Sequence, residues 1–262
     1  MSTPIQQLFD LHGSVALVTG GSRGLGLQMA EALGEAGARL MLTSRKAAEL
    51  EPAAAAFAAR GIEAQWFAAD ATDPAQVGAV VAATQARFGA IDILVNNAGT
   101  NWGAPAESYP LEAWDKVMNL NLRSVFLYSQ AVARAAMIPR RSGRIVNVSS
   151  IAGLAGSLQL KYIAYATSKG ALVNFTRQLA GEWGPYGINV NALAPGFFLS
   201  KMTAEVLKDG KDAGFAAAAP LGRLGDEDDL KGAIVLLASR AGKHITGQVL
   251  AVDGGVDAVH LT

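Results

Sequence analysis

The sequence predicts an α/β fold in which a parallel sheet is covered by helices on both faces. Short apolar runs alternate with longer segments of helical pattern along the whole chain of 262 residues. Parallel strands need such long connections, because a tight turn can join only antiparallel neighbours. No break in composition, low-complexity linker or long repeat divides the chain, so we expect one domain over residues 1–262.

The first part of the chain supplies three strands and two helices in alternation. A continuous apolar run at 15–19 is the first strand, and an amphipathic pattern at 24–36 follows it. We predict the next two strands at 39–43 and 64–68. The alanine-rich segment 47–59 between them has high helix propensity and is predicted to be helical.

The central part continues the same alternation. Pro74 stands at the first-turn position that proline favours, and predicts a helix that runs to about Phe88. A continuous buried strand is expected at 91–95, and a long helical stretch at 111–137. A strand at 144–149 and a helix at 165–183 follow.

The last part adds two strands and one helix. The strands are predicted at 188–193 and 248–252, and the helix at 226–239. Residues 197–220 have an irregular or weakly helical pattern. We expect this segment to form a lid over the substrate.

Composition excludes several classes of function. Lys plus Arg equals Asp plus Glu, at 22 each, so nothing indicates nucleic acid or an anionic membrane as partner. No charge-free apolar stretch is long enough for a membrane span, and the N-terminus does not resemble a signal peptide. The absence of cysteine fits a cytoplasmic protein. His12, His244 and His260 lack metal-ligand spacing, so no zinc site is expected.

A glycine-rich turn follows the first predicted strand and opens the first helix. It reads TGGSRGLG over residues 19–26, with glycines spaced as G-x-x-x-G-x-G. Glycines let the backbone approach a pyrophosphate, and the helix N-terminus offers unpaired N–H groups and a positive partial charge. The turn therefore predicts a dinucleotide site, with an ordinary strand-to-helix turn as the alternative.

Tyr165 and Lys169 are four residues apart in a predicted helix, so their side chains share one face. An ammonium beside a phenol favours the phenolate. Acid/base work near neutral pH requires the tyrosine pKa to fall by roughly 2–3 units from its usual ~10. We expect Lys169, helped by a cationic nicotinamide ring, to lower it; a solvated helix face is the alternative.

Taken together, the motifs of this chain resemble those of the short-chain dehydrogenase/reductase family. Besides the glycine turn and the Tyr165/Lys169 pair, the chain has NNAG at 96–99, Asn121 in a long helix, and PG at 195–196. All occur in the family's order over nearly the whole chain. The resemblance implies a Rossmann-type doubly wound parallel sheet of about seven strands. It also implies a carbonyl/alcohol oxidoreductase and, commonly, a homotetramer. The alternative is a non-catalytic NADP-binding protein, against which the intact set of Ser, Tyr, Lys and Asn argues.

The end of the second strand bears on cofactor choice. An acidic residue there would bind the 2′-hydroxyl of NAD, but this chain has Ser44 followed by Arg45, with Arg23 inside the glycine turn. A hydroxyl and two guanidinium groups would hold a 2′-phosphate. The pattern resembles the NADP-preferring branch of the family and implies NADP(H); the alternative is that both arginines are surface charges.

The resemblance implies further cofactor contacts. Asp70 resembles the residue that contacts adenine, and a serine stands near the place where the family often has threonine after Pro-Gly. The full set, besides Arg23, Ser44 and Arg45, is Gly20, Ser22, Gly24, Leu25, Gly26, Asp70, Ala71, Asn97, Ala98, Gly99, Tyr165, Lys169, Pro195, Gly196, Phe198 and Ser200.

By the same resemblance, four residues form the catalytic group. Tyr165 donates a proton to the carbonyl oxygen in reduction, or removes one in oxidation. Lys169 lowers the tyrosine pKa and holds the ribose hydroxyls. Ser150 hydrogen-bonds the substrate oxygen as charge develops on it. Asn121 holds a water that links Lys169 to solvent.

Each of these assignments has a rival in the sequence. Ser149 precedes Ser150 and would point to the other face if the strand continued that far. Tyr162 lies one helical turn earlier than the motif tyrosine, but no lysine follows it at the fourth position. Asn119 competes with Asn121, although the run that starts at Asn121 matches the family better.

Three segments are expected to line the substrate pocket, namely 100–109, 151–164 and 197–220. The lining would be apolar enough for an acyl chain or another apolar ketone, unless several of its residues pack only the lid or a subunit interface. Residues 96–110 and 194–203 resemble 3-oxoacyl reductases of the rhamnolipid pathway. The overall length and the opening FDL at 9–11 also resemble gluconate 5-dehydrogenases; a sugar acid would need a cation. The predicted lining is Trp102, Tyr109, Leu154, Leu158, Leu160, Tyr162, Phe197, Phe198, Leu199 and Met202, and the available cations are Lys201, Lys208 and Lys211.

Overall fold

The protein is built on one parallel sheet of seven strands in the order β3-β2-β1-β4-β5-β6-β7. The computed structural model describes residues 2–157, 160–199 and 211–259. The strands are β1 (Val15–Thr19), β2 (Arg39–Ser44), β3 (Ala64–Ala68), β4 (Ile93–Asn96), β5 (Gly143–Val148), β6 (Ile188–Pro195) and β7 (Val249–Val252).

Helices connect the strands and cover both faces of the sheet, as predicted. None of the described helices is long and apolar enough to cross a bilayer. The helices are α1 (Ile5–Phe9), α2 (Gly24–Glu35), α3 (Ala47–Ala59), α4 (Pro74–Phe88), α5 (Leu111–Met118), α6 (Ser124–Val132), α7 (Ile138–Arg140), α8 (Ile163–Trp183), α9 (Lys211–Ala218) and α10 (Lys231–Ala238).

The two faces of the sheet form two separate apolar cores. Ala16 and Val18 of β1 point into one core, which also contains residues of α2, α3 and α10. Val15 and Leu17 point into the other, which is shared with α4, α6 and α8. Alternate residues of a strand face opposite sides, so a strand buried on both faces must be apolar at every position. This is why β1 is a continuous apolar run.

The sequence order of the strands reverses at β1. The chain moves outward from β1 to β2 and β3, then crosses back to β4 on the other side of β1. Thr19 and Asn96, the last residues of β1 and β4, are paired in register. In open α/β sheets a crevice forms at the carboxyl ends of the strands at such a switch point.

Most predicted boundaries agree with the observed ones within one or two residues, but two predictions need correction and one helix was not predicted. The helix expected at 226–239 begins only at Lys231, because Asp226 and Asp229 fold a turn first. Asp229 Oδ2 accepts a hydrogen bond from the Asp226 amide at 2.8 Å and also contacts Arg223. Side chains that bond nearby amides in this way compete with helix.

The second correction concerns the segment predicted as one helix at 111–137. It is helical through to Arg140, but wide π turns interrupt it at Asn119–Arg123 and Ala133–Met137. The helix that was not predicted from the sequence is the short α1. The π turn at Asn119–Arg123 carries a predicted site residue, which fits the frequent occurrence of such turns at functional sites.

Candidate active site

The carboxyl edge of the sheet carries the predicted site residues that the structure describes. The glycine turn follows β1, and the NNAG motif follows β4 beside it. Thr19 joins the two, since its Oγ1 accepts hydrogen bonds from the amides of Asn97 at 3.0 Å and Ala98 at 3.1 Å. Asn97 Nδ2 in turn donates to the carbonyl oxygens of Thr19 and Gly20. The Asn97 side chain therefore holds the glycine turn against the start of the NNAG loop.

The glycine turn has the conformation that its composition predicts. Gly20 and Gly24 have φ values of +64° and +54°, in the region where glycine is favoured. A Cβ on Gly26 would lie 2.3 Å from Asn97 Nδ2 and from the Gly20 oxygen, so only glycine fits there. No side chain caps α2 at Arg23. The first-turn N–H groups of α2 are thus available to an anion, as a dinucleotide site requires.

The end of β2 carries the residues predicted to recognise a 2′-phosphate. Arg45 is exposed, and the Arg23 guanidinium donates to Glu49 Oε1 at 3.1 Å. The Ser44 hydroxyl is shielded from solvent and has no hydrogen-bond partner among the described residues. It must rotate outward to reach a ligand. The pairing of Arg23 with Glu49 was not foreseen from the sequence.

Asp70 follows β3 and lies at the same carboxyl edge of the sheet. Its Oδ1 accepts hydrogen bonds from the amide and the hydroxyl of Thr72, both at 2.8 Å. Its own amide donates to Gln76 Oε1 at 2.8 Å. The following residue, Ala71, is buried. These bonds fix the loop where an adenine contact is predicted.

The predicted catalytic residues converge on the other side of the crevice. The Ser150 side chain lies close enough to Tyr165 to lower the pKa of its phenol in part. Lys169 Nζ lies 5.6 Å from the centre of the Tyr165 ring and donates to the Val148 carbonyl oxygen at 2.6 Å. A Cβ on Gly99 would lie 3.7 Å from Lys169 Nζ. The NNAG motif and α8 are therefore close together at Lys169.

The electrostatics of this group differ from the sequence-based expectation. Burial raises the pKa of Tyr165 above its ordinary value; the hydrogen bond from Ser150 lowers it in part, and nearby Tyr162 raises it further. Burial also lowers the pKa of Lys169 to about 8. Desolvation disfavours the charged form of each group. The expected fall in the Tyr165 pKa is therefore not produced by the protein's own groups.

Asn121 is fully buried in the π turn and holds the loop after the NNAG motif. Its Oδ1 accepts from the Thr100 amide at 2.8 Å, and its Nδ2 donates to the Thr100 oxygen at 2.9 Å and to Ser168 Oγ at 3.0 Å. Both side-chain N–H groups are used, so a water could reach the side chain only at a remaining lone pair of Oδ1. Asn119 is exposed and makes none of these contacts.

Ser149 and Ser150 make different contacts in the structure, and Tyr162 lies next to Tyr165. Ser149 is buried, and its Oγ donates to the Lys169 carbonyl oxygen at 2.8 Å. This bond helps to hold α8 in place. Ser150 is the serine that faces Tyr165. Tyr162 stacks edge-on against Tyr165, with ring centres 6.4 Å apart. It lies in the wall of the crevice, as an aromatic pocket residue would.

The end of β6 agrees in part with the predicted cofactor contacts. The Gly196 amide donates to the Val252 oxygen at 3.0 Å, and a Cβ there would lie 2.7 Å from Asp253, so glycine is required. The Phe198 side chain is only 3% exposed and packs against Gly225. Its contact with the cofactor stays a prediction. Ser200 lies outside the described residues.

The wall of the expected substrate pocket is formed by two segments that are joined to each other. The Ala104 amide donates to the Lys161 oxygen at 2.9 Å, and a Cβ on Gly103 would lie 2.7 Å from the Tyr162 ring. Trp102 is 46% exposed and Leu199 67%. Apolar surface is therefore presented at the rim. The remaining predictions at Leu158, Lys201, Met202 and Lys208, and for the Lys211 side chain, lie outside the described residues.

Some contacts of the site could not be read from the sequence. Thr100 and Ser168 bind the Asn121 amide, and Glu49 binds Arg23, but no motif marks these residues. The only signal is position, since Thr100 follows NNAG directly and Ser168 precedes Lys169. Elsewhere, depressions of about 400 and 240 Å³ around His12 contain none of the predicted site residues. Within the described residues, no group of His, Cys, Asp and Glu could hold a metal ion.

Comparisons with known proteins agree with this arrangement. Residues 20–257 match the family model described as enoyl-(acyl carrier protein) reductase. The chain is 43% identical over 258 residues to gluconate 5-dehydrogenase of Gluconobacter oxydans, covering 98% of each chain. It is 40% identical over 251 residues to the rhamnolipids biosynthesis 3-oxoacyl-(acyl-carrier-protein) reductase of Pseudomonas aeruginosa, covering 94% of this chain and 97% of that one.

A solved structure gives the same result for the fold. Gluconate 5-dehydrogenase from Burkholderia cenocepacia, in complex with NADP and tartrate, superposes with a TM-score of 0.93 at 37% identity. The match covers 98% of this chain and 100% of that one. The fold, the ordered motifs and these matches over nearly the full length lead to one conclusion: the chain belongs to the short-chain dehydrogenase/reductase family.

Proposed function

We propose that this protein is an NADP(H)-dependent oxidoreductase that interconverts a carbonyl group and a secondary alcohol, with Tyr165 as the acid and base. The observation that carries the proposal is the cluster of Ser150, Tyr165 and Lys169 beside the glycine turn. Two hydroxyl groups that lie close together can both donate to a substrate oxygen placed between them. The relatives reported above are named as dehydrogenases and reductases, which supports the same reaction class.

The residues present fit the cofactor. The uncapped first turn of α2, and the tight turn that the packing of Gly26 against Gly20 allows, suit a pyrophosphate, and Arg23 and Arg45 suit a 2′-phosphate. Relatives with solved structures are described with bound NADP. Hydride transfer is the chemistry that NADP(H) supplies when bound.

The chain's own residues would handle the proton. In reduction, Tyr165 Oη donates its proton to the carbonyl oxygen while the Ser150 hydroxyl holds that oxygen. The Tyr165 phenolate that remains is stabilised by the nearby Lys169 ammonium, 5.6 Å from the ring centre. In oxidation the same phenolate removes the alcohol proton. Burial raises the Tyr165 pKa, so the phenolate depends on nearby positive charge, which the Lys169 ammonium would supply.

We propose an apolar ketone or a 3-oxoacyl thioester as substrate. Exposed apolar side chains at the rim, Trp102 and Leu199, and the half-buried Tyr162 support an acyl chain in the pocket. The similarity to a 3-oxoacyl reductase supports it as well.

A sugar acid such as gluconate is the second candidate. Matches to gluconate 5-dehydrogenases are favourable to it. The structure offers Lys161, exposed beside Tyr162, as a cation for the carboxylate.

One set of assays separates the candidates. Oxidation of NADPH is followed with 3-oxoacyl thioesters and with 5-ketogluconate, and reduction of NADP⁺ is followed with gluconate. We expect the highest kcat/KM with the thioesters. Activity confined to the sugar acids would replace the first candidate by the second, and activity with neither would reject both.

Assembly and location are proposals of the same kind. Apolar side chains on α5, α6 and β7 are exposed in the single chain, among them Leu111 at 69%, Phe126 at 46% and Leu250 at 38%. Such surface supports a homo-oligomer, and we propose a tetramer that works in the cytoplasm. Light scattering on the purified protein and cell fractionation test these two statements.

We also propose that the chain acts as one domain with a substrate lid near residues 197–220. Support comes from the packing of Phe197 on Phe215 of α9, with ring centres 4.0 Å apart. Both residues belong to the proposed lid, so this contact holds its described parts together. Limited proteolysis should cut this segment more slowly when cofactor and substrate are both bound; equal rates would contradict a lid.

A further inference from the structure

The basic cluster predicted to bind a 2′-phosphate already contains an anion. Glu49 lies in the first turn of α3, and one of its oxygens contacts both Arg23 Nη1 at 3.1 Å and Lys46 Nζ at 3.2 Å. Arg45 is exposed next to Lys46 in the chain. The Glu49 side chain is 29% exposed, so it lies deeper than the two cations, at 53% for Arg23 and 64% for Lys46.

Glu49 and a 2′-phosphate would need the same donor. A guanidinium binds phosphate best through parallel N–H groups, and one of those on Arg23 is directed at the carboxylate. The carboxylate charge also repels a dianion brought into the cluster. A dinucleotide with a plain 2′-hydroxyl meets neither obstacle, because it needs no guanidinium and carries no extra charge there.

We propose that Glu49 is a specificity-determining residue that weakens binding of the 2′-phosphorylated dinucleotide by pairing with Arg23. The inference rests on the proposed NADP(H) function. Glu49 thereby narrows the difference in affinity between NADPH and NADH. It leaves the reacting end of the cofactor untouched, since Arg23 and α3 lie at the β2 side of the crevice.

The test measures dissociation constants of NADPH and NADH from nucleotide fluorescence, without substrate. The variant is Glu49→Gln, which keeps the shape and removes the charge. Glu51→Gln is the matched control, because Glu51 is exposed on the same helix and its replacement changes the net charge equally. An exposed ion pair changes an equilibrium by up to about fivefold. We therefore expect E49Q to tighten NADPH about three- to fivefold and NADH less than twofold, with E51Q close to wild type.

A double-mutant cycle shows whether Glu49 acts through Arg23. In the Arg23→Ala background, E49Q should change the NADPH constant less than twofold. Weaker NADPH binding by E49Q would show that Glu49 orients Arg23 productively, and would overturn the proposal. Equal effects on both nucleotides, or an undiminished effect without Arg23, would also overturn it.

A separate variant tests the function on which the inference rests. Arg45→Ala should weaken NADPH at least tenfold more than NADH if the cluster binds a 2′-phosphate, taking charge-assisted bonds as roughly twice as strong as neutral ones. Equal losses for both nucleotides would reject the proposed cofactor site. A selective loss in R45A with no selective effect of E49Q would reject only the role of Glu49.

Discussion

Asn121 clamps the backbone of Thr100 from both sides. The amide oxygen accepts from the Thr100 N–H, and the amide nitrogen donates to the Thr100 carbonyl, at 2.8 and 2.9 Å. The clamp joins the π turn of the long helix to the loop after β4. Because the Gly99 position lies against both Asn121 and Lys169, the clamp also sets the distance between the NNAG backbone and the catalytic helix.

Replacing Asn121 by Ala should cost stability as well as activity. The change leaves the N–H and C=O of Thr100 without the partners that Asn121 supplies, and it removes the bond to Ser168 Oγ, which still donates to the Tyr165 carbonyl oxygen. A buried group left unpaired costs about 1–3 kcal/mol. We expect the free energy of unfolding in urea to fall by about 2–4 kcal/mol. Asn119→Ala is the control, since Asn119 is exposed, and it should change stability by less than about 0.5 kcal/mol. Equal effects of the two variants would contradict the clamp.

We expect replacement of Ser150 to lower activity and replacement of Ser149 to lower stability. Ser150→Ala removes the hydroxyl that faces Tyr165, and loss of one such donor typically lowers kcat by about 10²–10³-fold. Ser149→Ala instead removes the donor to the Lys169 carbonyl, so we expect a loss of about 1–3 kcal/mol in stability. Steady-state kinetics and urea unfolding on both variants check this division. A reversed pattern would mean that the serines have been assigned the wrong way round.

Gly26→Ala should abolish cofactor binding while the protein remains folded at low temperature. The new methyl group would press on Asn97 Nδ2 and on the Gly20 oxygen, both 2.3 Å away, and push the turn out of shape. We expect NADPH affinity to fall by more than about a hundredfold, which corresponds to about 3 kcal/mol. Gly78→Ala in α4 is the control, because a Cβ there meets no atom within 4 Å. Isothermal titration calorimetry with NADPH makes the comparison.

Lys169 should make stability rise with pH. Burial lowers its pKa to about 8 in the folded chain, whereas in the unfolded chain it titrates near ~10.4. Between these values the unfolded state holds a proton that the folded state has lost, so the free energy of unfolding increases with pH. Relative to Lys169→Met, the cofactor-free protein should gain about 2 kcal/mol between pH 7 and 9.5.

Urea unfolding at several pH values measures this difference. The range stops below pH 10 because the raised pKa of Tyr165 acts in the opposite sense at higher pH, where the unfolded tyrosine loses its proton first. A difference between wild type and K169M that does not change with pH would show that Lys169 titrates normally.

The fold was predictable from the sequence because its strands are buried on both faces. Residues 15–19 must be apolar at every position to fill two cores at once, and that produces a run that is easy to recognise. The prediction was wrong where side-chain hydrogen bonds, rather than hydrophobic periodicity, determine the backbone conformation. The side chains of Asp226 and Asp229 accept hydrogen bonds from backbone amides of this segment, so no helix begins at 226. An aspartate in the sequence fits a helix cap as well as a first helical turn, so the residue types alone do not distinguish the two.

The candidate site was predictable in its residues but less so in its electrostatics. Ordered motifs identify Ser150, Tyr165 and Lys169, and the structure brings them together. The pKa of Tyr165 was expected to fall because the sequence shows the neighbouring ammonium. The sequence does not show that both groups are buried, and burial raises the pKa of Tyr165 and lowers that of Lys169. The Glu49–Arg23 pair was missed for a similar reason, since it joins positions on different helices.

The central claim is that Tyr165 transfers the proton while the cofactor transfers the hydride. Single-turnover oxidation of bound NADPH by an accepted ketone, in Tyr165→Phe and in Tyr162→Phe, tests it most directly. We predict a fall of about 10²–10⁴-fold in the rate for Y165F with the NADPH dissociation constant unchanged within about threefold, while Y162F stays within about fivefold of wild type. A Y165F rate close to wild type, with NADPH bound, would contradict the account.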